Sequence, residues 1–182
     1  MMMLLSFLLV NGAVLSVVMA LELVLCTLRR SFEPNPHPVV LFGGVVSWLE
    51  QRLNRGSVQN RRWKGAAAWT VLVAGCAASG LLALLLLPFW GYALVFALTS
   101  AVLLAFSTLA QFVARVADGL ASGLDQGREA VSHIVGRDPK ALDEAGVSRA
   151  AIESLAENFS DGVTAPLFWS LIGGLPGLLA YK

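Results

Sequence analysis

The sequence predicts an all-α, polytopic integral membrane protein with three or four transmembrane helices and helical loops between them. Three observations carry this. Mean hydropathy is +0.71, with 57% apolar and only 14% charged residues, against about 25% charged in an ordinary globular domain. Residues 65–114 contain no Asp, Glu, Lys or Arg, room for two spans of roughly 20 residues and a turn. Most of the remaining charge is gathered in two segments, 29–64 and 115–161. The chain is expected to form one membrane domain over 1–182, with apolar blocks at 1–21, 66–87, 92–113 and 163–181.

The first block resembles a signal peptide in position only. It has no basic leader and its apolar run is too long for a cleaved h-region, so it is expected to remain as a span. Leu25 before Cys26 is too bulky for a lipoprotein cleavage box. Cys26 and Cys76 have no CxxC spacing and are expected to act as small apolar packing residues, with no zinc-type site.

Between the second and third blocks lies Pro88-Phe89-Trp90-Gly91-Tyr92. Proline and glycine stop a helix, and Trp90 and Tyr92 suit a membrane–water boundary, so these blocks are expected to form a hairpin with an uncharged tip. Segments 29–64 and 115–161 then lie on one side of the bilayer. Of the 13 Lys and Arg, all but Lys182 fall in those segments. By the positive-inside rule that side is cytoplasmic, in a cell or inner membrane. The basic residues are not pooled into one face, so nucleic acid is not an expected partner.

In the first segment, Pro34-Asn35-Pro36-His37-Pro38 holds a histidine between prolines, either as a plain turn or as a fixed ligand contact. Arg61-Arg62-Trp63-Lys64 reads as an interface anchor. In the second, Phe112, Val116, Leu120 and Leu124 make one helical stripe continuing block three. Gly119, Gly123 and Gly127 form a second row suited to close helix contact. Asp138 before Pro139 reads as a helix N-cap. Arg128, Arg137 and Arg149 have the geometry to clamp phosphate. His133 reads as a helix-surface residue.

The stretch 149–162 is the most informative. Ser148 is an expected N-cap and Gly162 an expected stop; Ile152, Leu155, Ala156 and Phe159 are the expected apolar face. Glu153, Glu157 and Asp161 recur every four residues and so share another face. Two readings stand. The face is simply solvated, with Arg149 paired to Glu153, or its carboxylates hold a Mg²⁺ that carries nucleotide phosphates. The row runs straight into Ala165-Pro166 and a block with prolines at 166 and 176 and glycines at 173, 174 and 177. Broken backbone at membrane depth survives where it is buried in protein or lines a cavity; that block is a span or a re-entrant pair.

Together these residues resemble the adenosylcobinamide-phosphate synthase family of cobalamin biosynthesis (the CbiB/CobD type). The resemblance rests on His37-Pro38-Val39, on Ile134-Val135-Gly136-Arg137-Asp138, and on Arg149-Ala150 through Glu153-Ser154-Leu155-Ala156-Glu157-Asn158 and Asp161-Gly162 to Ala165-Pro166-Leu167-Phe168. Gly174-Leu175-Pro176-Gly177 and Tyr181-Lys182 extend it. Phe32-Glu33-Pro34 stands where the family carries Gly-Asp-Pro. Family members continue well beyond the position of Lys182, so the chain resembles their N-terminal part.

The resemblance implies an ATP-dependent carbon–nitrogen ligase joining adenosylcobyric acid to aminopropanol or its O-phosphate, beside other corrinoid-pathway membrane enzymes. On that footing Glu153, Glu157 and Asp161 are expected Mg²⁺ ligands and Asn158 a polar orienter. Arg128, Arg137, Asp138 and Arg149 are expected at phosphate or substrate, with His37 a ligand contact. Two other classes stay open: a membrane sensor related to the β-lactamase-induction membrane protein, and a carrier using the broken fourth block.

Overall fold

The computed structural model describes residues 2–28, 38–135 and 138–182. Among them the structure is all-α. It runs α1 (Met2–Leu28), α2 (Pro38–Leu53), α3 (Val58–Leu86), α4 (Phe89–Leu103), α5 (Phe106–Ser122), α6 (Leu124–Ser132), a 3₁₀ turn (Pro139–Ala141), α7 (Glu144–Phe159), a π turn (Ser160–Thr164) and α8 (Ala165–Tyr181). Four helical stretches, Met2–Val24, Val58–Leu86, Phe89–Ser122 and Glu144–Tyr181, are long and apolar enough to cross a membrane. The described chain is thus that of a polytopic membrane protein. It divides into two compact units, one of Met1–Val18, Glu33–Leu103 and Pro166–Lys182, the other of Met19–Phe32 and Leu104–Ala165.

In the first unit α3 starts at Ser57, whose hydroxyl accepts the Asn60 N–H. It ends where Pro88 forces Leu87 into extended backbone (φ −89°, ψ 142°), giving the expected hairpin with α4. Only 6% of the apolar stretch of α3 is covered by protein. Leu81, Leu82, Leu85 and Leu86 are exposed, as a lipid-facing helix requires. Trp90 is exposed as an interface residue would be, but Tyr92 is not an interface anchor: it is buried in the core with Leu15, Phe96, Leu103, Leu175 and Leu178.

The reason lies in α8, which is not one straight helix. Gly174 adopts φ 58°, ψ −145°, a conformation open essentially to glycine. The chain doubles back there. A Cβ placed on Gly177 would collide with the Trp169 carbonyl, whereas eight residues along an unbroken helix lie about 12 Å apart. The fold-back frees backbone groups at membrane depth, and side chains from two other helices take them up. The Asn11 amide donates to the Leu171 carbonyl at 3.1 Å, and the Leu175 N–H donates to the Tyr92 hydroxyl at 3.0 Å. The turn packs against Gly80 of α3 so closely that a Cβ there would lie 2.7 Å from Pro176 Cα.

In the second unit the expected third span is interrupted at Leu104 and Ala105, where α4 ends and α5 begins. The stripe of Phe112, Val116 and Leu120 packs as expected, against Val131, Val147, Ala150 and Ala151. Leu124 does not belong to it. Gly123, at φ 149°, ends α5, and Leu124 opens α6 with 36% of its surface exposed. The glycine row does serve close contact: a Cβ on Gly119 would sit 2.9 Å from the Gln126 carbonyl oxygen, and one on Gly127 would overlap the Leu120 side chain. Cys26 and Cys76 are free and half-buried.

Candidate functional site

Excluding His37 and Arg137, which lie outside the described residues, every candidate site residue belongs to the second unit. The site is built on α7 and the turns that flank it. Asp138 extends into Pro139 as expected, its carboxylate accepting the Lys140 N–H at 3.0 Å. The helix itself begins earlier than its sequence indicates. Asp143 is the N-cap, accepting the Gly146 N–H at 2.7 Å, and Ser148 lies inside the first turns. The segment from 144 on can extend α7 because nothing in it breaks a helix except Gly146, whose N–H donates to the capping Asp143.

The packed face of α7 also differs from the expected one. Val147, Ala150 and Ala151 are buried, whereas Ile152 is 67% and Phe159 42% exposed. The alanines decide this: short side chains let α7 approach Val116 and Val131 closely, and the larger Ile152 falls a quarter-turn away. Arg149, Glu153 and Glu157 then run along one exposed side of α7, each a turn from the next. All three are exposed.

Beyond Phe159 the helix does not stop at Gly162. It widens into the π turn, in which Gly162 and Val163 are buried. Pro166 accounts for this. With no N–H, it leaves the Gly162 carbonyl without its ordinary helical partner, and that carbonyl accepts the Ala105 N–H at 3.1 Å instead. π turns recur at functional sites. This one takes Asp161 out of the strict four-residue row of Glu153 and Glu157, although Asp161 too is exposed.

The other candidates are placed as follows. Arg128 donates through Nε to the Leu142 carbonyl at 2.8 Å and through NH1 to Asp125 at 3.0 Å, tying α6 to the start of α7; a guanidinium has five N–H donors, so others remain for a ligand. The Asn158 amide donates to the Ser154 carbonyl at 2.8 Å. Among the described residues, no three His, Cys, Asp or Glu side chains are grouped closely enough to hold a metal ion by themselves. The donor set nonetheless suits Mg²⁺, which is commonly held by one or two carboxylates with phosphate and water completing its shell.

Sequence reasoning passed over Glu22. It is 5% exposed, and its carboxylate accepts the Ser107 N–H at 3.3 Å. Ser107 lies in the first turn of α5, whose own N-cap Ala105 offers no side-chain acceptor, so a distant carboxylate supplies the cap. The signal was present: Glu22 is the one charged residue before Arg29, and a carboxylate beside an apolar segment needs a partner. Glu22→Ala is expected to cost about 0.5–2 kcal/mol, read as a lowered unfolding temperature in detergent. Glu22→Gln, which keeps an acceptor, is expected to recover most of it; equal losses would sink the capping role.

Residues 13–182 match the CobD/Cbib protein family. The chain is 53% identical over 151 residues to the cobalamin biosynthesis protein CobD of Rhizobium meliloti (strain 1021), covering 80% of this chain and 46% of that protein. It is 47% identical over 174 residues to the CobD of Brucella melitensis biotype 1, covering 93% and 53%. To the CobD of Rhodobacter capsulatus (strain ATCC BAA-309) it is 38% identical over 174 residues, covering 94% and 55%. The chain therefore spans about half the length of the curated relatives it matches. No solved structure matches it. A helical membrane protein that matches this family over nearly its whole length is a member of it: the chain belongs to the CobD/Cbib family of cobalamin biosynthesis.

Proposed function

We propose that this chain forms part of an ATP-dependent amide ligase, joining a propionate carboxylate of adenosylcobyric acid to aminopropanol or its O-phosphate. The observation that carries the reading is the exposed face of α7, where Glu153 and Glu157 stand a turn apart with Arg149 a turn before them. Family membership supplies the pathway, and the face supplies charge suited to a Mg²⁺-bound nucleotide.

A carboxylate is a poor electrophile, so amide formation needs an activated acyl group. In the proposed course the substrate carboxylate oxygen attacks the terminal phosphorus of ATP and ADP leaves. The amine then attacks the acyl phosphate carbon, loses a proton, and expels inorganic phosphate. Little of this is covalent work for the protein. Its task is to position reactants and to neutralise charge on the phosphoryl group in transit. Glu153 and Glu157 hold the cation, with Asp161 beside them. Arg149, Arg128 and Arg137 bind phosphate oxygens, and Asn158, Asp138 and His37 orient substrate.

The direct test uses a full-length protein of this family that carries this sequence. Membranes containing it are expected to convert adenosylcobyric acid, amine and Mg–ATP into the amide with release of phosphate, and the gene to restore growth of a strain lacking that step. A single cysteine at 158, with Cys26 and Cys76 replaced, is expected to react with an impermeant maleimide only after the cytoplasmic side is opened. Labelling from the outer side would remove the proposal, because ATP is absent there.

The carrier reading is less well supported. The break in α8 is taken up by Asn11 and Tyr92 and closely packed by Gly80, which suits a structural turn more than a substrate site.

A further inference from the structure

Between α2 and α3, at the foot of the first unit's α3–α4 hairpin, lies a groove of about 380 Å³. Its walls are two helix faces. Val46, Leu49 and Leu53 recur at helical spacing on α2, and Gly65, Ala68 and Leu72 do so on α3. The small Gly65 and Ala68 create the space, with nothing within 4 Å of a Cβ placed on Gly65. Trp69 flanks the opening and is 67% exposed.

The groove is polar at one end only. Arg61 and Glu50 line that end, and Arg61 begins the Arg61-Arg62-Trp63-Lys64 cluster. Across residues 50–64 there are five Lys and Arg against the single Glu50. One of them, Arg52, lies over the Trp48 ring at 4.7 Å from its centre, which holds an aromatic plate beside the basic residues. Lys64 is turned toward the Arg55 carbonyl at 3.5 Å, so this cluster folds around the corner between the helices.

The dimensions decide the occupant. From Gly65, where the charge-free run starts, to Leu72 the lining climbs about 10 Å along α3 at the helical rise. Half of a hydrocarbon core of about 30 Å is about 15 Å. The basic residues of the cluster end at Lys64, so the basic end sits at headgroup level and the apolar end lies within the same leaflet. We infer that the α2–α3 groove is a binding site for one anionic phospholipid, its phosphate at Arg61 and Arg62 and one acyl chain along Gly65, Ala68 and Leu72. A generic interface anchor would need the cationic and aromatic residues but no slot; a protein segment would not call for an excess of basic residues in the chain around one end, where Arg61 lines the groove.

Native mass spectrometry of the purified full chain, released from detergent with dioleoylphosphatidylglycerol or dioleoylphosphatidylcholine, tests this. Phosphatidylglycerol is expected to remain bound at one equivalent under conditions that strip phosphatidylcholine. Arg61→Gln is expected to weaken its retention about fivefold, and Arg61→Gln with Arg62→Gln roughly 25-fold, at about one kcal/mol per basic residue near an anionic surface. Ala68→Leu fills the slot without touching the charge and is expected to weaken retention by a similar factor. Equal retention of the two lipids overturns the proposal. So does a lipid affinity that ignores Ala68→Leu, which would mark diffuse attraction to a basic surface, or a dimer that excludes lipid, which would assign the groove to a second copy.

Discussion

Gly174→Ala is expected to lower the stability of the chain by about 2–6 kcal/mol, seen as a fall of roughly 5–20 °C in the unfolding temperature in detergent. Two costs add. The backbone at φ 58°, ψ −145° is a region that a side chain occupies only under strain of about 1–3 kcal/mol. The new methyl would also sit 2.5 Å from the Tyr92 hydroxyl, 3.3 Å from Phe7 Cζ and 3.4 Å from Asn11 Oδ1, an overpacking that costs a further 1–3 kcal/mol or so. Moving Tyr92 aside does not relieve it, because that abandons the Leu175 N–H. Tyr92→Phe separates the terms: it removes the acceptor and leaves the backbone unstrained, so it is expected to cost about 1–3 kcal/mol. In the double variant the hydroxyl clash is gone, so the combined loss should fall short of the sum of the two. Strict additivity would show that the methyl never meets Tyr92.

Glu157→Ala in the full-length protein is expected to reduce ATP-dependent amide formation by roughly 10²–10³-fold, with the Mg²⁺ requirement shifted to higher concentration. Glu157→Asp, which keeps the charge on a shorter arm, is expected to retain part of the rate. Stability should barely move, because Glu157 is exposed and α7 is held by the buried Val147, Ala150 and Ala151. That separation matters: loss of rate without loss of folding points to the nucleotide, whereas loss of both points to α7 itself. A full rate in Glu157→Ala would take the residue out of the site, and a full rate in the matching Glu153→Ala as well would end the Mg²⁺ assignment for this face.

How much of this was readable beforehand follows from the range of the forces involved. The charge-free run and the Pro88 turn are local, and the α3–α4 hairpin follows from them without reference to the rest of the chain. The carboxylate face of α7 was equally legible, since spacing alone puts Glu153 and Glu157 together. The faces that pack were not. Ile152 and Phe159 are the more apolar residues of α7, yet Ala150 and Ala151 are buried because contact distance favours small side chains there, and only the partners Val116 and Val131 reveal it. Caps were misplaced for a related reason: Ser148 is as good a cap as Asp143 in isolation. The π turn depends on Pro166 withholding an N–H and on Ala105, 57 positions upstream of Gly162 (162 − 105), offering one. Tyr92 and Glu22 carry the same lesson, each placed by a hydrogen bond more than 80 residues away in sequence.

The turn at Gly174 has a consequence for biogenesis. The carbonyl and amide that it frees are satisfied by side chains that leave the ribosome much earlier, Asn11 on α1 and Tyr92 on α4. An amide without a partner in hydrocarbon is costly, so the doubled-back segment has no reason to settle before both of them are in place. Synthesis delivers them in that order. The final kink is then a docking step onto helices already inserted, and a translocation fault that misplaced either one would strand α8 with its backbone open.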